Sequence, residues 1–318
     1  MSQLSQPVKP RALRPGDSVR VVSLSSPVDE HRLSRGREEL SRLGYEPLLD
    51  LPAVLLRQGF FAGAPVQRLD ALCKALAEPD SRAVICSRGG YGAGYLLEMM
   101  DRIPQPPEPK IFAGYSDCTL LHAFFWRTFR WVTFYAPMIA SGFDAGADAP
   151  KGYDRASLLR ALTESQRGWT LDLRAESLVP GTAEGVLLGG CLTLLQSLLG
   201  TPWALDASGA ILILEDLSMK PYQVDRALTH LRHAGQFRDV RAIVLGDFPG
   251  CEAAPGGDST REVARRVLGG LGIPVVWGAA IGHTDRPMLT LPLGVRARLS
   301  APADRGPQLE ILEPACAP

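Results

Sequence analysis

Short apolar runs of strand length alternate with amphipathic segments of helical period through the first third of the chain, and this alternation constrains the fold more than any other feature. SVRVVSL (18–24) reads as a strand, and HRLSRGREELSRLG (31–44) has helical spacing with Gly44 as its stop. VQRLDALCKALAEPD (66–80) is again helical, while AVICSR (83–88) and KIFAGYS (110–116) read as buried strands. A strand, helix, strand, helix order builds a parallel α/β layer, whose ligands sit at the carboxyl ends of the strands.

A second unit repeats the pattern. LLGGCLTLLQSLLGTP is a glycine turn followed by a helix ending at Gly200, and ILILEDL (211–217) is a strand. VDRALTHLRHAG (224–235) is a helix, AIVLGDF (242–248) a strand and TREVARRVLGGLG (260–272) a helix; strand-like runs at 274–281 and 291–300 close the unit. The expected organisation is a flexible tail at 1–15, an N-terminal α/β domain at 16–150, a linker and flap at 151–184, and a C-terminal domain at 185–318. The flap expectation rests on Gly, Ala, Asp and Ser enrichment around a weakly helical ASLLRAL (156–162).

The 318 residues carry 34 Lys+Arg against 34 Asp+Glu, so no charge excess points to a nucleic-acid partner. No apolar run is long enough to span a bilayer, and the start MSQLSQPVKPRALRPGD lacks the apolar core of a signal peptide. Six scattered cysteines without CxxC spacing point to reduced thiols and a cytoplasmic setting.

Ser116 stands where a buried strand turns into an apolar helix, which exposes a hydroxyl above the sheet beside the Asp117 N–H of the first helical turn. The same position suits a simple helix cap. His122 is not its base, because six residues along a helix carry it about 9 Å away and about 240° around. The glycine turn SRGGYGAGYLLEMM (87–100) lacks the lysine of a phosphate loop, and it suits an oxyanion hole in which the Gly90 N–H pairs with that of Asp117, or else a tight turn with no ligand. Of the adjacent acids Glu215 and Asp216 at a strand end, only one can face a site. His283 follows the strand-like PVVWGAAI in a loop, a natural station for a base. A loop histidine bonded to a backbone carbonyl, and a glutamate that caps a helix or forms an ion pair, are the alternatives for that pair. His230 and His233 form the closest histidine spacing, but no third ligand accompanies them, so no metal is expected.

Four segments together resemble the LD-carboxypeptidase family, the serine peptidases that include muramoyl-tetrapeptide carboxypeptidases and microcin C immunity hydrolases: RGGYGAGYLL (88–97), AGYSDCTLLH (113–122), GTAEGVLLGGCLTLLQSLLGTP (181–202) and ILILEDLSMKPYQVDRALTHLRHAGQF (211–237). RPGDSVRVVSLSSPVD, AIVLGDF and IGHTDRPMLTLPLG match in place and order, so the resemblance runs from about residue 14 to 300. It implies a Rossmann-like or flavodoxin-like N-terminal domain and a smaller, β-rich α/β C-terminal domain. It also implies Ser116 as nucleophile, Glu215 as acid, His283 as base, and the Gly90 and Asp117 backbone as oxyanion donors. The implied activity is removal of the terminal D-alanine from cytoplasmic murein tetrapeptide during wall recycling, without cofactor or metal, by a homodimer.

The chain departs from the family pattern twice, with GGC in place of GGN at Cys191 and YAPM (135–138) in place of an HGPM-like segment. Tyr91, Met138 and Cys191 are therefore candidates for the substrate cleft, with a packing role the simpler reading of Cys191. The alternative substrate is an aminoacyl-nucleotide of the microcin C type, for which Trp169 is the sole tryptophan in the expected flap. An α/β-hydrolase esterase shares the Ser, Glu, His order but requires G-x-S-x-G, and Cys118 breaks that motif. A small-peptide binding protein remains if Glu215 or His283 points away from Ser116.

Overall fold

The computed structural model describes residues 6–100 and 108–318. The first elements are β1 (Ser18–Val22), α1 (Glu30–Arg42), β2 (Glu46–Leu48), α2 (Leu51–Val54), α3 (Pro65–Ala77), β3 (Ser81–Cys86), α4 (Gly94–Met100), β4 (Ile111–Gly114), α5 (Thr119–Phe129) and β5 (Thr133–Tyr135). Then come α6 (Arg155–Thr163), β6 (Trp169–Asp172), β7 (Glu176–Val179), β8 (Gly181–Cys191), α7 (Leu192–Ser197), β9 (Ala210–Glu215) and α8 (Pro221–His233). The last are β10 (Ala242–Gly246), α9 (Thr260–Leu268), β11 (Val275–Ala279), β12 (Leu291–Leu293), β13 (Arg296–Ala301) and β14 (Gln308–Ile311).

The strands form two sheets, β12-β5-β4-β3-β1-β2 and β6-β14-β13-β8-β9-β10-β11-β7. In the first, β2, β1, β3, β4 and β5 are all parallel, the flavodoxin-like order, and β12 lies antiparallel on the β5 edge. Every residue of β4 is buried, as are all but one of β3, because helices cover both faces of a parallel sheet. Each such Val, Ile or Phe contributes about 1.5–3 kcal/mol of burial. Asp29 starts α1 by accepting the Arg32 N–H at 2.9 Å. Gly36 of the same helix lets the chain after β5 pass against it, since a Cβ there would stand 1.9 Å from the Ile139 carbonyl oxygen.

In the second sheet β8, β9, β10 and β11 are parallel, and α7, α8 and α9 lie between them in the chain. β9 and β10 are buried throughout, while the first half of β8 alternates and pairs antiparallel with β13. Among the described residues no helix is long and apolar enough to cross a membrane.

Three expected boundaries need correction. Residues 1–5 of the expected tail lie outside the described residues, but the rest is bound to the body. Val8 donates to the Arg130 carbonyl at 2.8 Å, Ala12 donates to the Ala317 carbonyl at 2.8 Å, and Ala12 and Leu13 are buried. The prolines interrupt helix and sheet, yet the apolar residues between them still find a groove. The expected linker and flap at 151–184 holds α6, β6 and β7, with β6 pairing to β14 and β7 to β11. Short edge strands carry too little apolar pattern to be seen above the surrounding Gly and Ser. Finally, 291–300 does not close one unit: β12 crosses to the first sheet, opposite β5, and β13 returns to the second.

Candidate active site

Ser116 follows β4 in a single 3-10 turn, Ser116–Cys118, that leads into α5. Its φ is +62°, a left-handed conformation that costs a non-glycine residue about 1–3 kcal/mol and turns the side chain up from the sheet edge. The glycine turn after β3 closes over it. A Cβ at residue 89 would lie 2.9 Å from the Ser116 Cβ and 3.1 Å from its Oγ, so only glycine fits there. Gly90 has a φ of +111°, and a Cβ on it would strike the Ser26 hydroxyl at 2.4 Å. That hydroxyl, from the loop after β1, accepts the Tyr91 N–H at 3.1 Å.

Asp117 ties this turn to the Ser116 turn. Its buried carboxylate accepts the Ala93 N–H at 2.7 Å. Burial raises its pKa, and the Ser25 hydroxyl, the Ala93 N–H and, least, the Arg68 guanidinium counteract this. Arg68 is itself buried and donates to the carbonyls of Leu24, Gly92 and Gly63 at 2.5, 2.8 and 3.2 Å. The Asp117 side chain is therefore engaged in holding the two turns together.

Glu215 ends β9 with no exposed surface. One carboxylate oxygen accepts both the Nδ1–H of His283 at 2.7 Å and the His283 backbone N–H at 2.8 Å. The other accepts the Tyr135 hydroxyl at 2.5 Å. Burial opposes the charge, but the imidazole and these donors outweigh it and hold the carboxyl below its ordinary range. Burial likewise lowers the His283 pKa, and Glu215 overrides it to set the imidazole above 6.5. Asp216 turns away, accepting the Thr193 N–H and hydroxyl at 2.8 and 2.7 Å at the start of α7.

Two glycines make room for the acid. A Cβ at Gly282, whose φ is +60°, would sit 2.3 Å from the Glu215 carboxyl carbon, and one at Gly246 would sit 2.6 Å from its Cβ. The loop carrying His283 is fixed beyond the imidazole as well. Thr284 bonds to Asp247, Arg286 pairs with the same carboxylate, and Arg286 donates to the Arg174 carbonyl at 2.6 Å.

The two halves of the site meet through tyrosines. The Tyr115 ring, next to Ser116 in the chain, packs edge-on against the His283 imidazole with centroids 5.1 Å apart. The Tyr135 hydroxyl also accepts the Ser116 N–H at 3.3 Å. The carboxylate–imidazole pair is thus linked to the Ser116 turn through Tyr135 and Tyr115.

The other predicted residues divide by exposure. Tyr91 is 52% exposed and belongs to a ring cluster with Phe60, Phe61 and Tyr95. Met138 is buried against Cys118, and Cys191 is buried opposite Glu215, its backbone N–H bonded to Thr119 Oγ1 at 3.0 Å. Burial pushes the Cys191 thiol up, so it sits there as a protonated packing group. His122 is a neutral core residue: its ring nitrogens meet Thr133 Oγ1 and the Gly114 carbonyl at 2.8 and 2.9 Å, and burial lowers it to about 4. His230 bonds to Gln196, and among the described residues no three His, Cys, Asp or Glu side chains stand together as a metal set. Sequence reasoning missed Ser26, Gly246, Gly282 and the role of Tyr135. The two glycines, one in LGDF and one just before HTD, were visible, but the contact that demands them is not local.

Family models match both halves of the chain, the LD-carboxypeptidase N-terminal domain at residues 19–136 and the LD-carboxypeptidase C-terminal domain at 184–299. A Bacillus subtilis protein named for murein peptide carboxypeptidase activity is 35% identical over 295 residues, covering 92% of this chain and 91% of that one. The structure of muramoyltetrapeptide carboxypeptidase from Oxalobacter formigenes is similar at a TM-score of 0.79 and 29% identity, covering 93% of this chain and 99% of that one. The microcin C7 self-immunity protein MccF in complex with aspartyl sulfamoyl adenosine is similar at a TM-score of 0.86 and 27% identity, covering 98% of this chain and 100% of that one.

Proposed function

The chain belongs to the LD-carboxypeptidase family as a serine-type carboxypeptidase, and from that premise we propose that Ser116, Glu215 and His283 release the terminal D-alanine of a murein tetrapeptide. The Glu215–His283 pair carries the reading. With Nδ1 donating to the buried carboxylate, the other ring nitrogen is left as the acceptor that a serine hydroxyl needs. Ser116 Oγ attacks the carbonyl carbon before D-alanine and yields its proton to His283 Nε2. The oxyanion forms against the Gly90 and Asp117 backbone N–H groups, and the strained turn at Ser116 keeps the hydroxyl pointed at it. His283 then passes the proton to the leaving amine, so the C–N bond breaks to free D-alanine and an acyl-serine. Water, deprotonated by the same imidazole, hydrolyses the ester and restores the serine. No step calls for a metal or cofactor.

Six free thiols, five of them buried, support a cytoplasmic site of action, where recycled wall peptide is the substrate, and the family resemblance supports a homodimer. The test is release of D-alanine from purified tetrapeptide. Ser116→Ala is expected to lower turnover by at least about 10⁴-fold. Wild-type release by that variant would falsify the assignment.

A second reading keeps the triad and changes the substrate to an aminoacyl-nucleotide. The likeness to MccF bound to aspartyl sulfamoyl adenosine favours it. Trp169 does not, because it is buried on β6 and offers no face to a base. Parallel assays of tetrapeptide and aminoacyl sulfamoyl adenosine separate the two.

A further inference from the structure

We propose that Tyr135 is a positioning residue of this site, a buried hydroxyl that locks the acid on one sheet to the nucleophile's turn on the other. The inference rests on the triad assignment and adds a fourth member that the assignment does not contain. Tyr135 ends β5 with no exposed surface. Its hydroxyl donates to Glu215 Oε1 at 2.5 Å and accepts the Ser116 N–H at 3.3 Å. The Thr119 side chain also reaches this hydroxyl, and Thr119 Oγ1 in turn accepts the Cys191 N–H at 3.0 Å. Two strand ends of the second sheet, at Cys191 and Glu215, are thereby fastened to the β4–α5 turn and to β5 of the first.

The chemistry of a phenol suits this post. A buried phenol keeps its proton, so it serves Glu215 as a donor at any pH at which the fold persists. With Tyr135 on Oε1 and His283 on Oε2, both carboxylate oxygens are engaged and the carboxylate plane is fixed. Fixing that plane fixes the imidazole. The hydroxyl also withdraws charge from the carboxylate, moderating how strongly Glu215 holds a proton on His283. The groups packed against this imidazole are Tyr115, just after β4, and Glu215, at the end of β9; Asp216 turns away and acts on it only through its charge, and Cys191 at the end of β8 faces Glu215. None of them donates to Glu215 Oε1 in place of Tyr135.

Two readouts on the full chain test this. The first is the titration of the His283 ring by NMR, its signal identified by loss in His283→Gln; it needs neither substrate nor a reactive serine. The second is the rate at which a fluorophosphonate probe labels Ser116 across pH. In Tyr135→Phe the imidazole midpoint is expected to rise by about half a pH unit, because the carboxylate regains charge. Labelling at neutral pH is expected to slow about tenfold, with the acidic limb moving up in step. Should Tyr135→Phe fail to fold, 3-fluorotyrosine at position 135 gives the opposite sign. Its more acidic phenol is a stronger donor, and the midpoint is expected to fall. A folded variant that titrates and labels like wild type overturns the proposal, and so does a midpoint that moves the other way. Failure of the triad assignment reads differently: Ser116→Ala would then be labelled as fast as wild type, whatever Tyr135→Phe does to the imidazole.

Discussion

Glu215 and His283 are shifted in opposite directions chiefly by the short contact between them, with the Tyr135 hydroxyl adding to the shift of Glu215. Burial alone would neutralise both, but the carboxylate is held below its ordinary range and the imidazole above 6.5. An imidazole whose pKa is raised stays protonated further up the pH scale, and a protonated ring cannot take the proton from Ser116. Activity is therefore expected to climb through a midpoint above 6.5, read from kcat/KM against pH, and a midpoint at or below that value argues against His283 as base. Gly282 is the second residue with a sharp expectation. Gly282→Ala places a methyl 2.3 Å from the Glu215 carboxyl carbon on a backbone with positive φ. It is expected to cost about 2 kcal/mol of stability and to cut turnover about 100-fold, checked by denaturant unfolding and D-alanine release.

At the scale of elements, the site is a set of strand ends held by a few long side chains. Arg68 of α3 reaches under the glycine turn to bind three carbonyls, from the loop after β1, from its own N-terminal approach and from the turn itself. Arg68→Met removes the donors and strands those carbonyls in the interior. The expected loss is about 3 kcal/mol in urea unfolding, with labelling of Ser116 slowed as the turn loosens. The strands that carry the site were the easiest to read, because β3, β4, β9 and β10 are almost wholly buried runs rich in Val, Ile, Leu and Phe. The turn at Ser116 was legible from its place after β4, and Glu215 from its place at the end of β9. β6 and β7 were not, since each has only four residues at a sheet edge, and β12, read as strand, could not be assigned to the first sheet because its partner lies far away in sequence. Tyr135 was noticed only as a departure from a motif. Its partner Glu215 lies on the other sheet, and nothing in a linear pattern announces a hydroxyl and a carboxylate that meet across a seam.

On the scale of the whole molecule, Ser116 and the Glu215–His283 pair arrive from different sheets. β12 passes from the second half of the chain to the β5 edge, and residues 8–12 bind Arg130 at one end and Ala317 at the other. Such interleaving predicts a single cooperative transition when the full chain is unfolded by urea and followed by circular dichroism and tryptophan fluorescence together. A fragment ending near residue 150 is expected to show no cooperative transition, because it leaves the β5 edge bare and unpaired. Two separated transitions in the intact chain would mean that the sheets fold as independent bodies.

The strand β12 also restricts how the protein can admit a substrate. It enters the first sheet shortly after the His283 loop and leaves it at once for β13, like a stitch drawn through both sides of a hem. A wide hinge movement would have to pull that stitch out of β5 and break the Tyr135 link to Glu215 with it. Access to Ser116 is therefore expected to leave the two sheets where they stand, with no gaping of the lobes.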